Sequence, residues 1–182
     1  MNDTQLSTVV SHALRHEPWL YELELDEQGW VDVVDLLSIL RYQRSNWKDL
    51  TKADLCRMID VSDKKRHQIE GDRIRALYGH SIPGKLLKKK ACPPEQLYHG
   101  TTQSVVERIR EQGLLPMDRQ YVHLSIDIGI AMQVGRRKDR NPVILEVAAK
   151  EAFECGVNFY IGNDAVWLAD QIPPKFIRMS GK

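Results

Sequence analysis

The end of the first predicted helix gathers side chains that can bind an anion. Apolar residues recur through residues 6–14 with the spacing of one helical face, and Pro18 ends the helix. His12, Arg15 and His16 lie three and four residues apart on another face, and no acidic residue stands one turn before them. Such cations suit phosphate binding, but they also stabilise helix C-termini by roughly 0.3–1 kcal/mol each. Both interpretations are open at this point.

Arg, His and small hydroxyl residues also stand at other predicted element boundaries. They are Arg66 before a basic hairpin, His80 and Ser81 after it, His99, Gly100 and Thr101 at the end of a strand, and Arg119, His123 and Ser125 around the next strand. A single histidine is more often a structural hydrogen-bonding residue than a catalyst. The sequence contains neither a Walker loop nor a Gly-x-Gly-x-x-Gly turn.

Composition sets broad limits on the class of protein. The 182 residues are 42% hydrophobic and 28% charged, as in ordinary globular proteins, and no stretch approaches a membrane span or a secretory signal. Three widely spaced cysteines and the absence of a Cys-x-x-Cys pair predict a reducing cytoplasm and no metal site. Between Asp60 and Lys90 the sequence has nine basic residues and four acidic ones, and this local excess of positive charge favours a polyanionic partner. We expect a monomer.

The first half of the chain predicts a helix, a short strand, two helices and a hairpin. Leucines alternate with acids in residues 21–31, Asp32 can cap the second helix, and Thr51 opens the third with a capping box. Glu70-Gly71-Asp72 is a hairpin turn signal. Several helices followed by a basic hairpin predict a winged-helix-like lobe over residues 1–90.

The second half predicts a β-rich lobe over residues 91–182, after a proline-rich junction at residues 81–96. Leu97 to His99 form a short strand closed by Gly100-Thr101, and a helix follows that ends at Gly113. Short apolar segments then predict further strands, with residues 158–168 as a hairpin. The fold class is therefore α+β.

In their order along the chain, these segments resemble the NAD-dependent RNA 2′-phosphotransferases. The matching segments are Leu6-Ser7, Leu14-Arg15-His16, Gly29-Trp30-Val31, Asp63-Lys64-Lys65-Arg66, Gly79-His80-Ser81, His99-Gly100-Thr101, Arg119 with Val122-His123-Leu124-Ser125, Val134-Gly135-Arg136-Arg137, Val166-Trp167-Leu168 and Pro173-Pro174. The resemblance implies a winged-helix-like lobe joined to an ADP-ribosyltransferase-like lobe. It also implies that NAD is the co-substrate, without a metal, and that the partner is RNA carrying an internal 2′-phosphate.

The resemblance assigns a role to each candidate residue. Arg15, His16 and Arg66 would hold the 2′-phosphate, and Arg119 would act beside the NAD ribose. His80 and Ser81 would bind substrate phosphate or adenosine. The remaining candidates would line the NAD pocket, and they are His99, Gly100, Thr101, His123 and Ser125.

Three departures from the family pattern leave substrate preference and turnover open, and two other functions are considered beside the family activity. His67 stands where the family commonly has an aromatic residue, Leu77-Tyr78 replace Asn-Gln, and Ala165 replaces Gly. One alternative is an ADP-ribosyltransferase that modifies a nucleic-acid phosphate end or a protein. The other is a winged-helix nucleic-acid-binding protein whose second lobe is catalytically inert.

Overall fold

The computed structural model describes residues 2–180, with six α-helices and two antiparallel sheets among them. The outer ends of the two predicted lobes, Met1, Gly181 and Lys182, lie outside the described residues. The chain divides into two compact units, with the boundary between Leu87 and Lys88. No helix of the described part is long and apolar enough to cross a membrane.

The first unit packs three helices against a small sheet. Its helices are α1 (Asp3–Arg15), α2 (Val33–Gln43) and α3 (Lys52–Asp60), and its strands are β1 (Trp30–Asp32), β2 (His67–Glu70) and β3 (Arg73–Ala76). The sheet order is β1-β3-β2, and β2 and β3 form the predicted hairpin around Gly71. Leu6, Val10 and Leu14 are fully buried, which confirms the apolar stripe on α1.

Two of the predicted local features of the first unit differ in the structure, and one is present as predicted. The capping box is confirmed, since the Thr51 side chain accepts from Asp54 N–H and the Asp54 carboxylate accepts from Thr51 N–H. Asp32 is the N-cap residue of α2, but its side chain makes no capping hydrogen bond, so that part of the expectation is wrong. Residues 22–29 form no strand. There the Asp26 carboxylate accepts from Gln28 N–H and Trp30 N–H, which stabilises a turn instead.

The second unit contains a six-stranded sheet and three short helices. The strands are β4 (Gln96–Thr101), β5 (Val122–Ser125), β6 (Val143–Ala148), β7 (Phe159–Asn163), β8 (Val166–Ala169) and β9 (Ile177–Met179), in the order β7-β8-β5-β4-β6-β9. The helices are α4 (Val106–Gln112), α5 (Ile128–Gly135) and α6 (Ala149–Glu154). The hairpin of β7 and β8 is confirmed, as is Gly113 at the end of α4. Helices α5 and α6 are additional to the elements that the sequence predicts.

Pairing within this sheet is uneven at its centre. Strand β4 pairs with β6 from Gln96 to Thr101, but its register with β5 consists of one pair, Tyr98 with Ser125. The sheet is therefore two three-stranded halves that meet at a short contact. Gly100 and Thr101 belong to β4 and do not close it, so the predicted strand end at His99 is wrong.

Gly100 lets α5 pack directly on β4. A Cβ atom at Gly100 would lie 2.0 Å from the Ala131 carbonyl oxygen and 3.0 Å from the Gly135 nitrogen. Both are backbone atoms, which cannot swing aside as a side-chain end can. The close packing of α5 on β4 therefore requires a residue without a side chain at position 100.

Replacing Gly100 with alanine should lower the free energy of unfolding by about 3 kcal/mol or more, because backbone must move to admit the methyl group. Urea unfolding followed by circular dichroism measures this change. Gly129→Ala is the comparison variant on the covering helix, since outside that helix's own backbone its Cβ would meet only the Asp127 oxygen that caps α5, at 3.2 Å, so its loss should be well below that of Gly100→Ala. Equal stability of the Gly100 variant and the wild type would contradict the packing described.

Candidate active site

A cleft of about 450 Å³ in the first unit brings together three of the predicted anion-binding residues. Arg15, His16 and Arg66 all line it, although Arg66 is distant from the other two in the sequence. The remaining lining residues are mostly polar, and they are Asp3, Thr4, Ser7, Thr8, Ser11, His12, Met58, Val61 and Ser62. Guanidinium, imidazole and hydroxyl groups in one concave surface form the donor set that a phosphate requires.

Arg15 is the last residue of α1 and is largely buried, with 8% of its surface exposed. Its guanidinium carbon lies 5.4 Å from the centre of the Tyr78 ring, a cation–π distance. Tyr78 is one of the departures from the family pattern, and here it packs against a site residue. The aromatic ring restricts where the guanidinium can lie.

The segment that follows the hairpin fixes His16 and the end of α1. His16 Nδ1 lies 2.8 Å from the Ser81 hydroxyl oxygen. The Ser81 N–H also donates to the Arg15 carbonyl oxygen, at 2.9 Å, where the end of a helix leaves acceptors unused. Ser81 therefore positions the predicted phosphate-binding residues of α1.

His80 lies apart from this surface and is buried, with 3% of its area exposed. A Cβ atom at Gly29 would come within 3.7 Å of His80 Nε2, so the imidazole packs behind that turn. Its proposed role in substrate or cofactor binding stays a prediction. Its surroundings are those of a residue that supports the segment carrying Ser81.

His12 has an acidic neighbour, contrary to the expectation that the cations at the end of α1 would lack one. Its Nε2 lies 3.0 Å from a Glu17 carboxylate oxygen, and its Nδ1 lies 3.2 Å from the Tyr21 hydroxyl. The expectation concerns positions within the helix, whereas Glu17 follows the helix end. His12 is thus engaged in a local network beside the cleft.

Burial and two nearby arginines shape the chemistry of His67. Its side chain is buried, and its Nε2 lies 3.1 Å from the Ser11 hydroxyl oxygen. Burial first, and then the charges of Arg15 and Arg66, lower the pKa of His67 to about 3. The imidazole is therefore neutral at physiological pH and adds no charge to the cation cluster.

Five predicted NAD-pocket residues lie on two adjacent strands of the second unit. His99, Gly100 and Thr101 lie on β4, and His123 and Ser125 lie on β5. His99 Nδ1 donates to the His123 carbonyl oxygen at 2.9 Å, just past the single backbone pair of these strands. A carbonyl can only accept, so the proton of the neutral ring is on Nδ1 and Nε2 is an acceptor. Burial is the main cause of the lowered pKa of His99, which favours this neutral form.

Arg119 is exposed in the turn that leads into β5. Its backbone N–H donates to the Pro116 carbonyl oxygen at 3.2 Å, and Met117 in the same turn has a φ of 56°. Such a turn holds the residue in place before the strand that carries His123. Thr101 and Ser125 are both buried, with 9% and 7% of their surfaces exposed.

Two properties of the cleft were missed in the sequence. Ser7, which belongs to a matching segment, and Ser11 line the cleft together with Arg15, although no cleft role was predicted for either serine. The spacing of four residues between successive members of this row indicates that they share one helix face. His67 had been noted only as a departure from the family pattern. Within residues 2–180, no group of His, Cys, Asp and Glu side chains could hold a metal ion.

Comparison with known proteins gives this donor set a biochemical context. Arginine, histidine and hydroxyl groups around one cleft are typical of proteins that bind phosphoryl groups. The family profile described as RNA 2′-phosphotransferase, Tpt1 / KptA family, matches residues 1–171. The chain belongs to this RNA 2′-phosphotransferase family.

Similar proteins from several bacteria carry the name "Probable RNA 2′-phosphotransferase". The one from Acetivibrio thermocellus is 55% identical over 175 residues, which cover 96% of this chain and 96% of the relative. The one from Bacillus thuringiensis subsp. konkukian is 55% identical over 177 residues, covering 97% and 95%. The one from Streptomyces griseus is 39% identical over 186 residues, covering 97% and 96%.

The lowered pKa of His67 makes stability depend on pH. Its folded-state pKa is about 3, against about 6.5 for an ordinary histidine, so between these values the unfolded chain binds the extra proton. The contribution of His67 to the free energy of unfolding is fully present above about pH 6.5 and is lost as the pH falls toward 3. Between pH 7 and pH 5 the wild type should lose about 2 kcal/mol through His67.

Urea unfolding of the wild type and of His67→Phe at several pH values between 5 and 7 measures this contribution. The difference between their unfolding free energies should change with pH by that amount, since the other titrating groups are common to both. A difference that does not vary with pH would show that His67 titrates normally.

Proposed function

We propose that this protein removes an internal 2′-phosphate from RNA by transferring it to NAD, releasing nicotinamide and ADP-ribose 1″,2″-cyclic phosphate. The observation that carries the proposal is the shared cleft of Arg15, His16 and Arg66. These residues come from two separate segments, and family membership makes an RNA 2′-phosphate the matching anion.

The two units would divide the work. The first, with its three helices and β2–β3 hairpin, would be a winged-helix-like lobe that binds the RNA phosphate. The second would be an ADP-ribosyltransferase-like lobe that binds NAD. The short contact between β4 and β5 supports the second assignment, because a sheet that separates there exposes strand residues to a ligand.

In the first step, a 2′-phosphate oxygen forms a bond to the ribose carbon that carries nicotinamide. The bond from that carbon to the nicotinamide nitrogen breaks, and nicotinamide leaves as a neutral molecule with the electron pair. Since the leaving group is cationic before departure, this step needs no strong acid. It needs cations that hold a dianionic phosphate next to a pyrophosphate, and charge-assisted hydrogen bonds of about 1.5–3 kcal/mol each suit that task.

In the second step, the neighbouring ribose 2″-hydroxyl attacks phosphorus in the ADP-ribosylated RNA phosphate. The bond from phosphorus to the RNA 2′-oxygen breaks, and that oxygen takes a proton. Arg15, His16 and Arg66 would stabilise the charge that develops on the phosphoryl oxygens, and Arg119 would act beside the NAD ribose. His16, positioned through Nδ1 by Ser81, would transfer this proton.

The NAD site would be built along β4 and β5. His99 would present its Nε2 acceptor to an amide or hydroxyl proton, with Gly100, Thr101, His123 and Ser125 around it. Ser81, and His80 behind it, would support binding of substrate phosphate or adenosine. This donor set fits a dinucleotide with an amide and several hydroxyl groups, and it requires no metal ion.

A short RNA with one internal 2′-phosphate, incubated with NAD, tests the proposal. Chromatography and mass spectrometry should detect nicotinamide, RNA with a free 2′-hydroxyl and ADP-ribose 1″,2″-cyclic phosphate. Arg66→Ala and Arg119→Ala should each lower the rate at least a hundredfold, because a guanidinium group donates two hydrogen bonds to a phosphate and alanine donates none. The circular dichroism spectra of both variants should match that of the wild type. Arg108→Ala, an exposed arginine on α4, is the matched control and should keep the wild-type rate.

Other products would identify a different activity. A stable ADP-ribosylated RNA or protein would indicate an ADP-ribosyltransferase that stops after the first step. RNA binding without nicotinamide release would indicate a binding protein. Near-normal rates in both arginine variants would overturn the site assignment.

A further inference from the structure

Ser11 and His67 form a polar pair at the wall of the cleft. Ser11 lies on α1, one helical turn before Arg15, and it lines the cleft that Arg15 and Arg66 also line. His67 is the first residue of β2 and directly follows Arg66. The 3.1 Å contact between Ser11 Oγ and His67 Nε2 thus links the two segments that supply the cations.

This contact changes what the Ser11 hydroxyl can do. A serine or threonine within a helix usually donates to the carbonyl four residues earlier, and Thr8 does this with the Thr4 carbonyl oxygen at 2.9 Å. Ser11 instead has an imidazole nitrogen within hydrogen-bond distance. The tautomer of His67 therefore decides whether the Ser11 hydroxyl donates to the imidazole or accepts from it.

The protonation of the pair follows from its neighbours. His67 faces Arg15 and Arg66, and burial together with these charges keeps its ring neutral, with one N–H. When that N–H is on Nε2 it donates to Ser11 Oγ, and the serine proton becomes available to another acceptor. A phosphate dianion offers only acceptors, so its binding selects this arrangement of protons.

We propose that Ser11 is a phosphate-binding residue of the cleft, and that His67 is the positioning residue that turns its hydroxyl toward the phosphate. The inference rests on the proposed function and adds a neutral donor to the charged ones. A phenylalanine at position 67 could fill the same space but could not orient the hydroxyl. The departure at His67 thus has a physical purpose in this chain.

The experiment measures phosphate discrimination directly. Fluorescence anisotropy without NAD gives the Kd of two oligonucleotides of identical sequence, one with an internal 2′-phosphate and one with a 2′-hydroxyl at the same position. Ser11→Ala should lower the ratio of the two affinities about tenfold, as expected for a lost hydrogen bond to a charged group. His67→Phe should lower it severalfold, and the double variant should match Ser11→Ala alone.

Two further variants separate positioning from folding. His67→Gln keeps an N–H donor near the position of Nε2 and should retain most of the discrimination, even if His67→Phe fails to fold. Ser45→Ala, an exposed serine outside the cleft, should match the wild type. Thermal melting of each variant confirms that the compared proteins are folded.

Distinct results would overturn the inference and the proposed function. If the wild type prefers the phosphorylated RNA and Ser11→Ala keeps that preference, Ser11 does not bind the phosphate. If His67→Phe lowers the ratio equally with and without the Ser11 hydroxyl, His67 does not act through Ser11. A wild type without any preference would overturn the proposed function together with this inference.

Discussion

Like charges held near one another are the constraint on which the first unit depends. Arg15 and Arg66 both line the cleft and both depress the pKa of the buried His67. The same positive potential that lowers this pKa would attract a phosphate dianion bound in the cleft. A neutral His67 adds no further positive charge to the cleft, while its hydrogen bond to Ser11 connects the two segments.

The surrounding elements keep acidic groups occupied elsewhere. Asp3, the acidic residue among the described cleft-lining residues, pairs with Arg57 at 3.2 Å, and Arg57 also bonds Asp54 of the capping box at 2.8 Å. Glu17 pairs with His12 at the cleft edge. A carboxylate in the cleft would compete with phosphate for the arginines, so these pairs favour an external anion. Exposed ion pairs add little stability, and here their position matters more than their energy.

The sequence predicted features that depend on local chemistry. The α1 stripe, the Thr51 capping box, the Gly71 turn and the β7–β8 hairpin each follow from a few neighbouring residues. Features set by tertiary packing were not predictable in this way. The contact between Ser11 and His67 joins residues 56 positions apart, and the close approach of α5 to Gly100 depends on a helix that the sequence reading did not foresee. The first-unit cations were found through their types and order, but only the fold shows that Arg66 shares a cleft with Arg15.

The central claim is that this cleft binds the 2′-phosphate, and a crystal structure with a 2′-phosphorylated dinucleotide tests it most directly. The account predicts that the phosphate lies in the first-unit cleft, within hydrogen-bond distance of the Arg15 and Arg66 guanidinium groups and of His16. A phosphate bound at another surface, with these side chains still directed into an empty cleft, would contradict it.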